Sequence, residues 1–168
     1  MFHRNHATKG YVGLGSNMGD RAGNLLLAVR GMTHAAMMVT CLSSIYETEP
    51  LSDIEQPPFL NMVAEIGNHL PTAEQMMARL LRIEFALGRT RDVKNGPRTI
   101  DLDLLFYGDM ESDTQFLRLP HPRLHERRFV LEPLAEIAPR LVHPLLNRTV
   151  EELLQVVPDK SKVKRWAP

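Results

Sequence analysis

Two carboxylates set two residues apart, Asp101 and Asp103 in the stretch RTIDLDLLF (residues 98–106), are the groups in this chain best spaced to do chemistry. Ile100, Leu102, Leu104 and Phe106 alternate around them like the buried face of a strand, yet Asp is depleted in strands. Side chains at i and i+2 point the same way, so the two acids should lie about 6–7 Å apart on one sheet face. Just upstream, residues 88–98 (GRTRDVKNGPR) carry four basic side chains and one acid. Cations crowded beside a negative pair suit a nucleoside triphosphate bound with metal. Arg neutralises phosphate oxygens, and Asp holds Mg²⁺, a hard cation that keeps several waters and bridges to phosphate. Two carboxylates on one face can hold two such ions. The competing reading is a solvated face on which the acids merely pair with nearby Arg; the adjoining Arg-rich segment and the rigid joint at Gly96 and Pro97 favour the site.

A strand carrying this pair needs elements to position it. Residues 11–15 (YVGLG) read as a first strand ending in the turn-rich SNMGD. Asp20 can cap a helix with Leu25, Leu26, Val29 and Met32 at helical spacing. Residues 39–46 and 59–66 read as two strands of a hairpin whose long tip holds Pro50, Pro57 and Pro58, and long loops in compact domains tend to be functional. Pro71 and Thr72 open a second helix with an apolar stripe from Met76 to Leu87 and a stop at Gly88. The strand at 99–107 follows. This order, β-α-β-β-α-β, is the split βαβ, ferredoxin-like arrangement: an α+β fold with an antiparallel sheet, helices packed on one face, and a C-terminal extension. The extension reads as a Pro-His-Pro turn at 120–122, short helical pieces and a helix over 149–156. One domain over 1–168 is expected.

Composition sets the outer limits. Twenty basic and twenty acidic residues cancel, so nothing global draws the chain to nucleic acid or an anionic membrane. Fifteen of the cations are Arg, the residue that grips phosphate bidentately, although a GC-rich genome would also favour it. The single Cys41 suits a reducing compartment, and without a signal-like start or a membrane-length apolar run the expectation is a soluble cytoplasmic protein, and a monomer. GLGSNMG after a strand evokes a dinucleotide-binding turn, but its spacing is wrong; tight turning and close backbone approach explain Gly13, Gly15 and Gly19 better. Thr48, Leu51, Phe59 and Asn61 in the hairpin tip combine stacking and hydrogen-bonding groups suited to a flat heteroaromatic ring. His121 keeps company with Arg118, Arg123, Arg127 and Arg128, which suits an anion about as well as a solvated basic face.

Taken in order, GLGSNMGD, SSIYETEPL, QPPFLN, IEFALGRTR, GPRTIDLDLLFYGD and LPHPRLHERRFVLEPLAEIAP resemble the 6-hydroxymethyl-7,8-dihydropterin pyrophosphokinases of folate synthesis. The resemblance spans roughly residues 10–144, and GPRTIDLDLLFYGD is its most specific part. It implies transfer of the terminal diphosphate of ATP to the pterin hydroxymethyl group, with AMP released. By the same resemblance Asp101 and Asp103 hold two Mg²⁺. Thr48, Leu51, Phe59, Asn61 and Phe129 form the pterin pocket, with Phe59 and Phe129 on opposite ring faces. Glu84, Arg89, Arg91, Arg98, His121 and Arg127 engage ATP or assist transfer, Arg89 and Arg98 meeting the developing charge. The Arg-bearing loops are expected to close over the substrates and exclude water.

The chain departs from the best-known bacterial pattern at several positions. Asn95 stands where an aromatic residue commonly covers the site, in a loop shorter by about one residue. Phe59 replaces a Tyr, and Phe116 and Arg118 replace an Arg and a Thr that contact nucleotide. A second reading is a relative that uses the same Mg-ATP machinery on another pterin-like alcohol, and the fit of Thr48 and Asn61 to pterin discriminates the two. A ferredoxin-like RNA-binding module would need exposed sheet aromatics and a basic face; two Asp on the sheet and zero net charge argue against it.

Overall fold

In the computed structural model the described residues are 8–51, 54–90 and 96–168. β1 (Gly10–Ser16) turns into α1 (Arg21–His34), whose first turn is capped as expected, Gly23 N donating to Asp20 Oδ1 at 2.9 Å. β2 (Met38–Leu42) and β3 (Tyr46–Thr48) precede the long β4 (Phe59–Gly67). α2 (Ala73–Ala86) opens on a capping box between Thr72 and Gln75. It stops before Gly88, whose φ of +77° suits glycine. β5 (Asp101–Tyr107) carries the two acids.

The single strand expected over 39–46 is two strands, because Ser43 interrupts the ladder. Its N–H donates to Val63 O at 2.9 Å, while Val63 N donates to the Ser43 hydroxyl at 2.9 Å in place of a backbone carbonyl. The backbone therefore changes course between β2 and β3 without leaving a buried amide unpaired. Both strands lie antiparallel along the same edge of β4. β1 sits between β4 and β5, antiparallel to each.

Beyond β5 come a small hairpin, β6 (Ser112–Asp113) and β7 (Arg118–Leu119), then a 3₁₀ turn at Leu124–Glu126 and α3 (Arg128–Ile137). A second small hairpin, β8 (Val142–His143) and β9 (Arg148–Thr149), leads to α4 (Val150–Val156), where Thr149 and Glu152 form a capping box. β10 (Val163–Arg165) returns to pair with β3, so the sheet runs β10-β3-β4-β1-β5, with β2 also on β4. The extension is thus part of the sheet.

Helices cover both faces of this sheet: α1 and α2 share one, as expected, and α3 and α4 of the extension cover the other. On the first face Leu25, Ala28 and Met32 of α1 and Met76, Leu80 and Ile83 of α2 pack on Val12, Leu14, Leu60, Met62, Leu102 and Leu104. On the second, Val130, Leu131 and Leu134 of α3 and Val150 and Leu153 of α4 pack on Tyr11, Val63, Leu105 and Phe106. Each fully buried side chain of this size contributes roughly 1.5–3 kcal/mol, so both layers hold a sheet that must tolerate acids.

Phe106 belongs to the second face, not to the face of Ile100, Leu102 and Leu104 as its spacing implied. Val12 pairs with Leu104 and Tyr11 with Phe106, which leaves Leu105 as the extra residue of a β-bulge. An extra residue shifts the alternation by one, so Leu105 and Phe106 both serve the α3 side. Ahead of the bulge the period of two survives, and Asp101 and Asp103 share one face.

One carboxylate ties the extension to the core. Glu136 on α3 accepts from Ser44 N at 3.0 Å, Ser44 Oγ at 2.8 Å, Tyr46 OH at 2.7 Å and Arg165 Nη2 at 3.3 Å. These bonds, from the link between β2 and β3, from β3 and from β10, hold the Glu136 carboxyl below the usual range against the opposing effect of its partial burial.

Candidate active site

The register defines the floor of a cleft. Asp101 pairs with Gly15, which pairs with Asn61, which pairs with Tyr46; the next row is Asp103, Gly13 and Val63. By strand alternation all of these face the α3 side. Because positions 13 and 15 carry no side chain, an open strip separates the acids of β5 from the polar edge of β4. A Cβ on Gly15 would lie 2.9 Å from Asn61 Oδ1. The glycines keep the sheet approachable, and the cleft has an empty volume of about 980 Å³, counting space open to solvent.

At one end are the acids. Asp101 is fully engaged: Oδ1 accepts from Arg89 Nη1 at 2.7 Å and Oδ2 from Arg98 Nη1 at 2.6 Å. Arg89 Nη1 also donates to Glu84 Oε1, and the same oxygen accepts from Leu102 N at 2.7 Å. Glu84, though buried, therefore anchors the Arg89 guanidinium to the backbone of β5.

Asp103 has a different environment. His121 Nε2 lies 3.9 Å and Arg127 Nη1 4.0 Å from Oδ2, beyond hydrogen-bond range. Burial at the base of the cleft, reinforced by the negative charge of Asp101, pushes Asp103 up to about 7. His121 is pushed the other way, down to about 4, by burial and then by the cation of Arg127. It is therefore neutral at pH 7, and because Nδ1 accepts from Arg123 N at 3.2 Å, its proton sits on Nε2, toward Asp103. The contact is accordingly no ion pair at neutral pH.

The other end is aromatic and amide-rich. Asn61 Nδ2 donates to Thr48 Oγ1 at 2.8 Å, with both side chains buried. Phe59 rises from β4, with the Arg98 guanidinium carbon 5.8 Å from its ring centroid, and Phe129 comes from α3 with that of Arg127 at 5.7 Å. Each guanidinium thus links an aromatic face to the acidic end.

Of the residues singled out in the sequence, the cleft brings together Thr48, Leu51, Phe59, Asn61, Phe129, Arg98, Asp101, Asp103 and Arg127. Glu84 and Arg89 join through Asp101, and His121 through Asp103. Arg91 and Asn95 lie outside the described residues, as does the expected closure of their loop. Arg118 is turned to Asp113 at 3.3 Å and Arg128 to Glu132 at 3.0 Å; neither lines the cleft, nor does the half-exposed Phe116. Glu49, Pro50, Gln56, Arg123 and Val130 also line it, and of these only Arg123 has a residue type that pointed to a ligand. The first three flank Thr48 and Leu51 in the hairpin tip, and Arg123 sits in the basic cluster around His121, so position in sequence was the available signal.

The donor set fits Mg²⁺. Both acids offer hard oxygens, and Asp103 receives no hydrogen bond from the described residues at the distances above. Among those residues no group of three or more His, Cys, Asp or Glu gathers, so an ion held there would need ligand oxygens and water to complete its coordination, as is usual for Mg²⁺.

An α+β fold whose cleft joins a carboxylate pair and an Arg cluster to Phe59, Phe129 and a buried Thr48–Asn61 pair has the make-up of an enzyme site. The profile of the 7,8-dihydro-6-hydroxymethylpterin-pyrophosphokinase (HPPK) family matches residues 11–139, and the chain belongs to that family, a pyrophosphokinase of folate biosynthesis. It is 45% identical over 158 residues to a 2-amino-4-hydroxy-6-hydroxymethyldihydropteridine pyrophosphokinase of Bacillus subtilis, covering 93% of this chain and 94% of that one. With the enzyme of the same name from Methylorubrum extorquens the identity is 42% over 159 residues, covering 94% and 98%. Folic acid synthesis protein fol1 of Pneumocystis carinii is 38% identical over 149 residues, but the chain spans only 20% of its length. Among solved structures, wild-type HPPK-DHPS of Plasmodium falciparum superposes with a TM-score of 0.68 at 14% identity over 92% of this chain and 45% of that one. No helix among the described residues is long and apolar enough to cross a membrane.

Proposed function

We propose that this chain transfers the terminal diphosphate of ATP to the hydroxyl of 6-hydroxymethyl-7,8-dihydropterin, on a ferredoxin-like βαββαβ core, with two Mg²⁺ held by Asp101 and Asp103. The observation that carries this reading is the continuity of the cleft: the glycine strip joins an acid-and-Arg end to an aromatic-and-amide end, so two ligands of those chemistries meet over it. The hydroxyl oxygen bonds to the β-phosphorus, the bond from that phosphorus to the α,β-bridging oxygen breaks, AMP leaves, and the hydroxyl proton passes to solvent. When bound, Mg²⁺ supplies charge neutralisation and alignment of the phosphate oxygens.

The rest falls to the chain's own groups. Phe59 and Phe129 sandwich the pterin, Leu51 closes its apolar side, and Thr48 and Asn61 read its edge. Arg89 and Arg98, held on Asp101 in the free protein, would be released to phosphate oxygens if Asp101 held a metal ion instead. Glu84 steadies Arg89 through that exchange. Arg127, with Arg123 beside it, adds positive charge, and neutral His121 presents its Nε2–H as a donor. Arg91 has the same assignment by family likeness alone. The work is positioning and electrostatics, which phosphoryl-type transfer mostly requires. This reading also expects a cytoplasmic monomer, the exposed Cys41 thiol staying reduced there.

Incubation with Mg-ATP and the pterin should release AMP only when both are present. AMP formed without pterin, or none at all from folded protein, would overturn the proposal. A second expected result concerns the floor. Gly15→Ala must displace the Asn61 amide by a few tenths of an ångström, so the KM for pterin should rise about tenfold while that for Mg-ATP stays near the wild-type value. Steady-state kinetics with each substrate varied in turn measures both.

A further inference from the structure

Asn17, in the GLGSNMGD turn whose glycines explain only its shape, joins three segments that the sequence keeps far apart. It is 1% exposed, and its side chain is fully used. Oδ1 accepts from Arg98 N at 2.8 Å, while Nδ2 donates to Gln56 Oε1 at 3.0 Å and to Pro57 O at 3.0 Å. Its own N–H donates to Arg98 O at 3.2 Å, so Asn17 and Arg98 hold each other by a reciprocal pair of bonds through the Arg98 backbone. The turn itself is braced by Asn24 Nδ2, which donates to Met18 O at 2.9 Å and Ser16 Oγ at 3.2 Å.

Gln56 and Pro57 end the hairpin tip, two residues before Phe59, and Arg98 stacks on the ring of Phe59. Asn17 therefore fixes the backbone on both sides of the stack where the aromatic slot meets the phosphate end. The carbonyl oxygen of its side chain serves the Arg98 side, and the amide nitrogen serves the Phe59 side. We infer that Asn17 is a positioning residue that sets the spacing between the pterin slot and the phosphate-binding Arg98, a role that rests on the activity proposed above.

This division of labour makes the inference testable with an isosteric change. Asn17→Asp keeps the acceptor for Arg98 N but sets a carboxylate oxygen against the Pro57 carbonyl. The expected result is a pterin KM raised about tenfold, with kcat and the KM for Mg-ATP within about threefold of wild type. Asn17→Ala releases both sides, so kcat should fall as well, and the Arg98 amide, read by hydrogen exchange in the free full-length protein, should exchange at least about tenfold faster than in wild type or Asn17→Asp. The exchange readout needs no turnover, so a chain without the proposed activity would still report on Asn17. If Asn17→Ala does not fold, Asn17→Asp carries both readouts. An unchanged pterin KM in Asn17→Asp, a parallel loss of all three kinetic constants with faster Arg98 exchange in that variant, or unaltered Arg98 exchange in folded Asn17→Ala would each overturn the inference.

Discussion

Asp103→Asn is expected to lower kcat by about 10³-fold, the loss of several kcal/mol of charge stabilisation, and yet to make the substrate-free protein more stable at pH 8. The two effects share a cause. Asp103 is pushed up to about 7 because burial and Asp101 disfavour its charge, so the folded state holds a proton that the unfolded chain gives up near pH 4. Wherever the native state binds more protons, stability falls as pH rises. The penalty is absent below about pH 4, accumulates to about pH 7 and stays constant above it. Asparagine never ionises and escapes it. The Asp103 side chain is 36% accessible, so solvent screening holds the gain to about 1 kcal/mol, or roughly 2–4 °C in Tm for a chain of this size. Thermal melts from pH 4 to 8 without Mg²⁺ should show variant and wild type together at the acid end and apart at the alkaline end. Added Mg²⁺ should stabilise wild type more than the variant at pH 8, since only wild type offers both carboxylates. Coincident melts across the range would show that Asp103 is not strained by its setting, and turnover within about tenfold of wild type would show that the reaction does not use it.

What could be read from the sequence was whatever depends on local period and local chemistry. Asp101 and Asp103 fall on one face because a strand repeats every two residues, and the cap at Asp20 was visible because its partner lies three residues away. Phe106 lies off the face its spacing implies because a bulge is a property of two strands, and nothing in DLDLLFY says that Leu105 has no partner of its own on β1. The second helical layer is hidden for a similar reason. Residues 128–137 show a short apolar stripe, but only the completed sheet reveals an uncovered face for Val130, Leu131 and Leu134 to fill. Within the site, residue types suggested a phosphate and a ring, whereas the contrast between Asp101, bonded to two Arg, and Asp103, which receives no hydrogen bond from the described residues, depends on where Arg89 and Arg98 end up. Asn17 was hidden most completely, since an asparagine in a glycine-rich turn is fully explained by the turn.

Replacing Arg98 should be the second most damaging change, with Arg98→Ala lowering kcat by about 10²–10³-fold and Arg98→Lys recovering only a small part of the loss. Charge alone would predict that Lys restores most of it, and the geometry says otherwise. The Arg98 guanidinium donates through Nη1 to Asp101 at 2.6 Å and through Nε to Gly96 O at 3.4 Å, and it also faces the Phe59 ring. A planar fork can do all three from one rigid group. An ammonium is a strongly hydrated point charge without a face to stack, so it can meet Asp101 or a phosphate oxygen but cannot also brace the aromatic wall. Both substitutions leave the Arg98 backbone bonds to Asn17 intact, so Tm should stay within a few degrees of wild type, and a loss of rate cannot be charged to unfolding. The expected signature is a raised KM for pterin as well as for Mg-ATP, because the group stands between the two ligands. Full recovery of kcat by Lys would reduce Arg98 to a bare positive charge and would remove the stack with Phe59 from the causes that align the two halves of the cleft.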